Sequence, residues 1–406
     1  MDNVKESFWN INELTQIHVE LTNACNAACP LCVRYYNNSP NIRPDLEVGQ
    51  ITLAKFKKYF PLEILQRCHL MMFCGVHGDP GVARDLLEIC QYISDTSSSI
   101  ILTINTNGGM RKSEWWAKLG KIFSKRPTWH ITFSIDGLED TNHIYRRNVN
   151  WNNLISNVQA FINEGGYAKW DYLIFKHNEH QLKQAKELSI KLGFKEFIPK
   201  KALGVDNGTK LVPMPVRDKD GNLDYFIEAP DDPAYRNLEN PQGTEDIQYH
   251  PFDIENYRYL KQTKQVSKEF KLSLKTVKNK IDSEDNSKYN NLEIKCKSKV
   301  ALGGKEIFVD NYGRVMPCCY VGTMLNGSYT DTNTLQLHKQ VSDYGWKHFN
   351  LNEFSLEDIL SNRHLDNVFA DSWSKPTMAQ GKLGYCAETC GTISSIDRIF
   401  TVNKNN

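Results

Sequence analysis

Hydrophobic and polar positions change period repeatedly along the first half of the chain. Gln16 to Leu21 alternates and carries β-branched residues, as a strand does, and it leads directly into a cysteine-rich loop. Cys68 to Cys74 is a second apolar run, ending at Gly75 and Gly78-Asp79-Pro80, with a helical pattern from Val82 to Ile93 behind it. Ser99 to Ile104 is a third strand, closed by Asn105-Thr106-Asn107-Gly108-Gly109 and followed by a helix over Glu114 to Lys121. Trp129 to Ile135 ends at Asp136-Gly137, after which Trp151, Leu154, Ile155, Val158 and Phe161 recur at helical spacing within Asn150 to Glu164. Trp170 to Phe175, a helix over Glu179 to Leu192 and a strand at Phe194 to Ile198 complete the series. Strands alternating with helices of this length predict βαβ units on a parallel sheet, and six such units fit between residues 16 and 205. Gly, Asn, Asp and Ser gather at the carboxyl ends of these strands, where parallel barrels carry their chemistry. The fold class expected is α/β: a partial (β/α)6 barrel of the TIM type with a C-terminal α+β domain.

Past residue 205 the rhythm breaks. Val205 to Pro251 is rich in Pro, Gly, Asn and Asp. Asp218-Lys219-Asp220-Gly221-Asn222 reads as a hairpin turn, because the further ligands of a calcium loop are missing at the required spacing. Residues 257–299 hold 12 Lys/Arg against 5 Asp/Glu, a solvated helical face rather than a nucleic-acid site, since few aromatics interleave with it. Ile307 to Met316 alternates around Asp310-Asn311-Tyr312-Gly313, a hairpin that presents Cys318. The expected division is a barrel over 1–205, a bridging segment over 206–290 and a C-terminal domain over 291–406.

Charge and composition narrow the function classes. With 49 Lys+Arg against 48 Asp+Glu in 406 residues, the net charge is +1, which argues against a surface built throughout for polyanions. The 40% hydrophobic and 24% charged content suits a folded soluble chain rather than a disordered one. No apolar run approaches the ~20 residues of a membrane span, and Met1 to Asn12 has no basic region followed by an apolar stretch. A cytoplasmic location without membrane contact is the expectation. Eleven cysteines in a reducing compartment are metal ligands, catalytic thiols or buried hydrophobes more often than disulfides.

The cysteines fall into two sets. Cys25, Cys29 and Cys32 stand on one short loop with no fourth ligand nearby for tetrahedral zinc, whereas a [4Fe–4S] cluster held by three cysteines leaves one iron open. A zinc knuckle or buried thiols is the competing reading. Cys296, Cys318, Cys386 and Cys390 suit one four-thiolate site, iron–sulfur or zinc. Cys319, pointing away from Cys318 on an extended strand, reads as packing, a substitute ligand or a reactive thiol; Cys68, Cys74 and Cys90 read as buried hydrophobes, with the active site as the alternative for Cys74.

The loop from Thr22 through Cys25, Cys29 and Cys32, directly after a first strand, resembles that of the radical S-adenosylmethionine (SAM) enzymes. Phe73 to Pro80 resembles the family's second-strand Gly-Gly-Glu-Pro, with Gly78-Asp79-Pro80 in the last three positions, one extra residue and Asp for Glu. Asn105-Thr106-Asn107-Gly108 resembles the third-strand motif, and Phe133-Ser134-Ile135-Asp136-Gly137 the fourth, followed by Asp140, His143 and Arg146. Lys176-His177-Asn178-Glu179 resembles the ending of the fifth strand. The resemblance implies a SAM-binding [4Fe–4S] cluster on Cys25, Cys29 and Cys32, with SAM contacts from Gly75, Gly78, Asp79, Asn105, Asn107, Ser134, Asp136 and Asn178. Leu31 stands where the family has an aromatic, which leaves adenine to Tyr35, Tyr36 or aliphatic packing.

Gly313-x4-Cys318 resembles the twitch and SPASM extensions of the same family, and five C-terminal cysteines fit the shorter twitch. That implies a second, auxiliary [4Fe–4S] cluster on Cys296, Cys318, Cys386 and Cys390. The chain as a whole is similar to twitch-type radical SAM proteins of bacteria and phages, many of them marine. The activity implied is reductive cleavage of SAM to a 5′-deoxyadenosyl radical that takes hydrogen from a small molecule or a peptide. A net oxidation or crosslink follows, an oxidoreductase reaction with the auxiliary cluster as electron acceptor and a flavodoxin or ferredoxin as reductase partner. Other readings are a radical cyclase or rearrangement enzyme of cofactor synthesis, a nucleic-acid-modifying enzyme acting through 257–299, and a non-catalytic iron–sulfur or zinc scaffold. His143, Arg146, Arg147 and His177 are candidates for anion contact or for structural roles.

Overall fold

A computed structural model of the chain describes residues 7–391 apart from 248, 264, 297, 299–304 and 328. Residues 1–6 of the N-terminal stretch and residues 392–406 of the expected C-terminal segment lie outside the described residues. Six parallel strands follow one another in sequence order: β1 (Leu14–Val19), β2 (Leu70–Phe73), β3 (Ile101–Thr106), β4 (His130–Ser134), β5 (Ala168–Ile174) and β6 (Glu196–Lys201). Each falls within two or three residues of the stretch its alternation predicts, the offset expected where strands fray into turns.

Helices Leu86–Thr96, Ser113–Phe123, Trp151–Asn163 and Leu182–Leu192 return the chain between successive strands. Their apolar stripes are buried, with Ile89 and Ile93, Trp116 and Leu119, and Leu154, Val158 and Phe161 at helical spacing. The shorter helices Leu53–Tyr59 and Leu62–Arg67 precede β2 and escape sequence reading, because two turns carry too little periodicity.

Beyond β6 the turn at Asp218 does close a hairpin, β7 (Met214–Arg217) with β8 (Leu223–Ile227). Gly221 takes φ +92°, and the Asp218 carboxylate accepts from the Asp220 and Asn222 N–H groups. The basic stretch forms helices Ile254–Thr263 and Gln265–Ser283.

The C-terminal hairpin joins the barrel's own sheet. Strand β9 (Lys305–Val309) runs parallel to β1, with Ile17 opposite Ile307 and Val19 opposite Val309, and β10 (Val315–Met316) pairs antiparallel to β9. The eight strands therefore run β10-β9-β1-β2-β3-β4-β5-β6, one sheet whose β1 edge the C-terminal segment extends. Helix Cys319–Leu325 packs against this hairpin, Thr332–Tyr344 against that helix, and Gly384–Cys390 against Thr332–Tyr344. Among the described residues no helix is long and apolar enough to cross a membrane.

Helices Ser113–Phe123 and Trp151–Asn163 approach closely at Gly120, where an added Cβ would lie 2.5 Å from the Phe161 carbonyl oxygen. Alanine is the better helix former by about 1 kcal/mol, but a clash with fixed backbone costs about 1–3 kcal/mol. Gly120→Ala is therefore expected to lower the urea midpoint of unfolding; a raised midpoint would mean that the helices sit farther apart.

Candidate functional site

Three features place the first cysteine loop at the carboxyl end of the sheet. It leaves β1 through Glu20 and Thr22, and the Ala28 N–H donates to the Arg147 carbonyl at 2.9 Å. The Asp79 N–H donates to the Ala24 carbonyl at 2.8 Å. The loop after β2 crosses it so closely that a Cβ on Gly78 would lie 2.0 Å from the Thr22 carbonyl oxygen, and one on Gly75 2.0 Å from that of Gly78. No side chain larger than hydrogen fits at either position.

Cys29 is buried, and Cys25 and Cys32 are half-buried. Burial pushes all three thiols up, Cys32 to about 11, with the nearby Asp79 adding to the effect at Cys25. Two N–H donors point at their sulfurs: Arg146 Nη1 at 3.6 Å from Cys29 Sγ, and Asn107 Nδ2 at 3.7 Å from Cys25 Sγ. Buried thiols of this kind hold their protons until a cation replaces them, and a metal deprotonates its thiol ligands outright. A cavity of about 450 Å³ opens beside Cys32, walled by Leu31, Tyr35, Tyr36, Arg43 and Tyr329.

Arg146 links the loop to β4. Its Nε donates to Asp136 Oδ2 at 2.6 Å, and the Leu173 N–H donates to Asp136 Oδ1 at 2.6 Å. Burial pushes the Asp136 carboxyl up, and the Arg146 guanidinium and Leu173 N–H pull it back down. Burial also works against the Arg146 charge, but Asp136 and Cys29 outweigh it and hold the guanidinium above its ordinary value. Arg146 is thus a structural cation beside a thiol. Arg147 holds the β7–β8 hairpin through the Arg217 carbonyl, His143 is exposed, and His177 stacks on Phe175.

The other expected SAM contacts divide in two. Asp79 is buried and accepts from Gly81 N–H, Thr106 Oγ1, Asn107 N–H and Asn107 Nδ2 at 2.7–2.9 Å. Asn178 accepts from the Phe175 N–H and donates to the Asp136 and Leu173 carbonyls. Asp79, Asp136 and Asn178 are therefore spent on tying strand ends together, and Asn107 largely so. Asn105 and Ser134 are half-buried, and Asn105 reaches the Cys74 thiol.

Glu20 lay outside the sequence reading. It is fully buried, accepts from the His77 N–H at 2.7 Å and the Gly78 N–H at 3.2 Å, and is pushed up to about 7, chiefly by burial. Continuing the alternation of Gln16 and His18 by one step was the signal that placed it inside.

The second cysteine set converges as well. Cys296, Cys318, Cys386 and Cys390 line one enclosed apolar pocket with Ile294, Tyr320, Trp373 and Tyr385. Burial pushes the Cys296, Cys318 and Cys386 thiols up, Cys296 to about 11. The Trp373 indole N–H is buried without an oxygen or nitrogen acceptor and lies against Cys386. Among the described residues no three His, Cys, Asp or Glu are arranged as the shell of a single metal ion. Cys319 does not line this pocket, and its backbone differs from expectation. Cys318 is the last extended residue, with φ −164° and ψ 166°, and Cys319 opens the helix to Leu325. The turn sends Cys319 toward Glu306 and Cys74, where burial first and those groups second push it up to about 12. Cys68 and Cys90 are buried in the core.

No protein-family model matches the chain, and no curated protein matches it. Among solved structures, SuiB of Streptococcus suis bound to S-adenosylmethionine is similar over 76% of this chain, at 12% identity and a TM-score of 0.43. The chain spans only 61% of that protein's length. SuiB bound to its precursor peptide SuiA is similar over 96% of this chain and 79% of its own, at 14% identity and a TM-score of 0.46. The enzyme anSMEcpe with bound AdoMet is similar over 91% and 88%, at 12% identity and a TM-score of 0.43. These TM-scores are low, and no functional reading rests on them.

Proposed function

We propose that the chain is a radical SAM enzyme that takes a hydrogen from a small-molecule or peptide substrate held in the barrel. The observation that carries this reading is the set of three cysteines, one buried and two half-buried, on one loop at the carboxyl end of β1, with Arg146 and Asn107 aimed at two of their sulfurs. Three thiols, no carboxylate or imidazole completing a single-ion shell, and N–H donors to sulfur suit an iron–sulfur cluster with one iron left open. With SAM bound there, such a cluster supplies reductive cleavage of the sulfonium and a 5′-deoxyadenosyl radical.

The chain's own residues orient and enclose. Glycines 75 and 78 bring the backbone after β2 against the loop, where a SAM amino group would meet it. Asn105 and Ser134 offer side chains at the barrel face, while Asp79, Asn107, Asp136 and Asn178 hold the strand ends in register. Leu31, Tyr35 and Tyr36 wall the cavity beside Cys32 and suit an adenine.

Cys296, Cys318, Cys386 and Cys390 are assigned to an auxiliary [4Fe–4S] cluster, with the Trp373 N–H as a donor to its sulfurs. Four thiolates would also satisfy a tetrahedral zinc, and the metal count below separates the two. Four ligands leave no position for substrate, which favours that site taking the electron of the substrate radical in a net oxidation or crosslink, with SAM as the net oxidant and a flavodoxin or ferredoxin reducing the first site.

Anaerobic reconstitution is expected to give about eight iron per chain, the sum of two cubanes. The Cys25/Cys29/Cys32 triple Ala variant should retain about four and form no 5′-deoxyadenosine from SAM and dithionite. The quadruple Ala variant of the C-terminal set should also retain about four but still form it. Stoichiometric zinc with about four iron in the wild type would remove the auxiliary cluster, and no 5′-deoxyadenosine from the wild type would leave a non-catalytic scaffold.

Arg146 supplies a positive charge and a hydrogen bond to a cluster sulfur, both of which ease reduction. Replacing Arg146 alone would strand the buried Asp136, so the informative variant is Arg146→Met with Asp136→Asn. Its SAM-site midpoint potential is expected to fall by roughly 60 mV, a tenfold loss in the one-electron equilibrium. An unchanged potential in an EPR-monitored titration would make Arg146 a strut only.

A further inference from the structure

Strand parity decides which side chains face the barrel axis. On β1, Ile17 and Val19 are buried under the helices, so Gln16, His18 and Glu20 take the inner face. Pairing with β9 sets Gln16 opposite Glu306 and His18 opposite Phe308, and the His18 and Phe308 rings meet at 4.9 Å. Glu306 therefore faces inward. Across the barrel Asp171 of β5 and Lys200 of β6 form an ion pair on the same face. Cys74 lies within electrostatic range of Lys200 and Glu20, and Cys319 of Cys74 and Glu306, so these groups face one another inside the barrel. Cys74, Asn105, Ser134, Lys200 and Glu306 are half-buried there, which leaves the inner face, hereafter the chamber, open in part.

The chamber is short of donors. Its described cation, Lys200, is already paired with Asp171. Asp171, 8% exposed, keeps Oδ1 without a partner, and fully buried Glu20 keeps Oε2 without one. His18, 3% exposed, gives its Nε2 to the Cys74 carbonyl at 2.7 Å. A carbonyl only accepts, so this ring nitrogen carries the proton and His18 Nδ1 is a further unfilled acceptor. The Glu306 carboxylate receives one hydrogen bond, from Gln16 Nε2 at 2.6 Å, and among the described residues it meets no cation. Burial pushes the half-buried Glu306 carboxyl up to about 7, so near neutral pH it holds either a proton or a cation that takes the proton's place.

We propose that the barrel chamber recognises a substrate carrying a protonated amine or guanidinium, which the Glu306 carboxylate receives beside Gln16. The assignment rests on the reading of the barrel as the radical chamber and adds the substrate's charge class to it. A cation entering there completes the Glu306 carboxylate with a charge-assisted hydrogen bond, and a donor-rich group also finds the open acceptors of Asp171 and His18.

The test is calorimetric titration of the anaerobically reconstituted full chain, with SAM present, by three probes. These are the Nα-acetyl N-methylamides of lysine, norleucine and glutamate, which differ in side-chain charge. The lysine probe is expected to bind about tenfold more tightly than the norleucine probe, and the glutamate probe most weakly. Glu306→Gln, an isosteric change whose folding is checked by its circular dichroism melt, should abolish the preference for lysine. Lys200→Met, which frees Asp171, should enlarge it. Equal binding of the three probes, no binding of the lysine probe, or a preference that survives in Glu306→Gln overturns the proposal. Formation of 5′-deoxyadenosine is measured on the same wild-type sample. If it forms without charge preference, the chamber assignment alone falls; charge preference without it overturns the radical reading alone.

Discussion

The Asp136–Arg146 pair is the interaction on which the mouth of the barrel depends. Asp136 stands two residues past β4 with its carboxylate fully buried, and it tolerates that position because Arg146 and the Leu173 N–H both reach it. Removing one partner of such a pair typically costs about 3–5 kcal/mol, since a charge is left in a medium that cannot solvate it. The same guanidinium extends to the Cys29 sulfur, and the next residue, Arg147, offers its carbonyl to Ala28. One buried ion pair therefore fixes the register of β4 and β5 and the position of the cysteine loop together.

The sheet couples the two cysteine sets through a second constraint. β9 lies along β1, so the strand that delivers the first loop and the hairpin that delivers Cys318 are hydrogen-bonded neighbours. Where the extended chain ends at Cys318 and the helix begins at Cys319, adjacent sulfurs diverge, one into the apolar pocket and the other toward the barrel. Asp310 tightens this hairpin by accepting from the Tyr312 and Arg314 N–H groups and pairing with the Arg314 guanidinium. The chamber inside the barrel is bounded by rigid strands on both sides, which suits holding a substrate against a reactive site.

Much of this was legible in the chain. Alternation placed β1 to β6, because a strand with one face under helices must repeat every second residue, and cysteine spacing grouped Cys296, Cys318, Cys386 and Cys390 across ninety-five residues of sequence. The short helices after the first loop were not legible, nor was the pairing of β9 with β1, since neither local propensity nor period encodes a partner almost three hundred residues away. The roles of Asp79, Asp136 and Asn178 also required the fold. The family resemblance implied ligand contacts for them, but buried carboxylates and amides must be hydrogen-bonded, and here the backbone meets that need. Cys319 was read as packing on a strand; a helix start turned it toward Glu306 instead.

The central claim, that Cys25, Cys29 and Cys32 carry a cluster with an iron open to SAM, is tested most directly by low-temperature EPR. The sample is the dithionite-reduced chain whose C-terminal cysteines are replaced by alanine, recorded with and without SAM. The account predicts a signal from one reduced [4Fe–4S] cluster whose g values change when SAM is added. A reduced cluster with an identical spectrum in both samples, or no cluster signal at all, would contradict it.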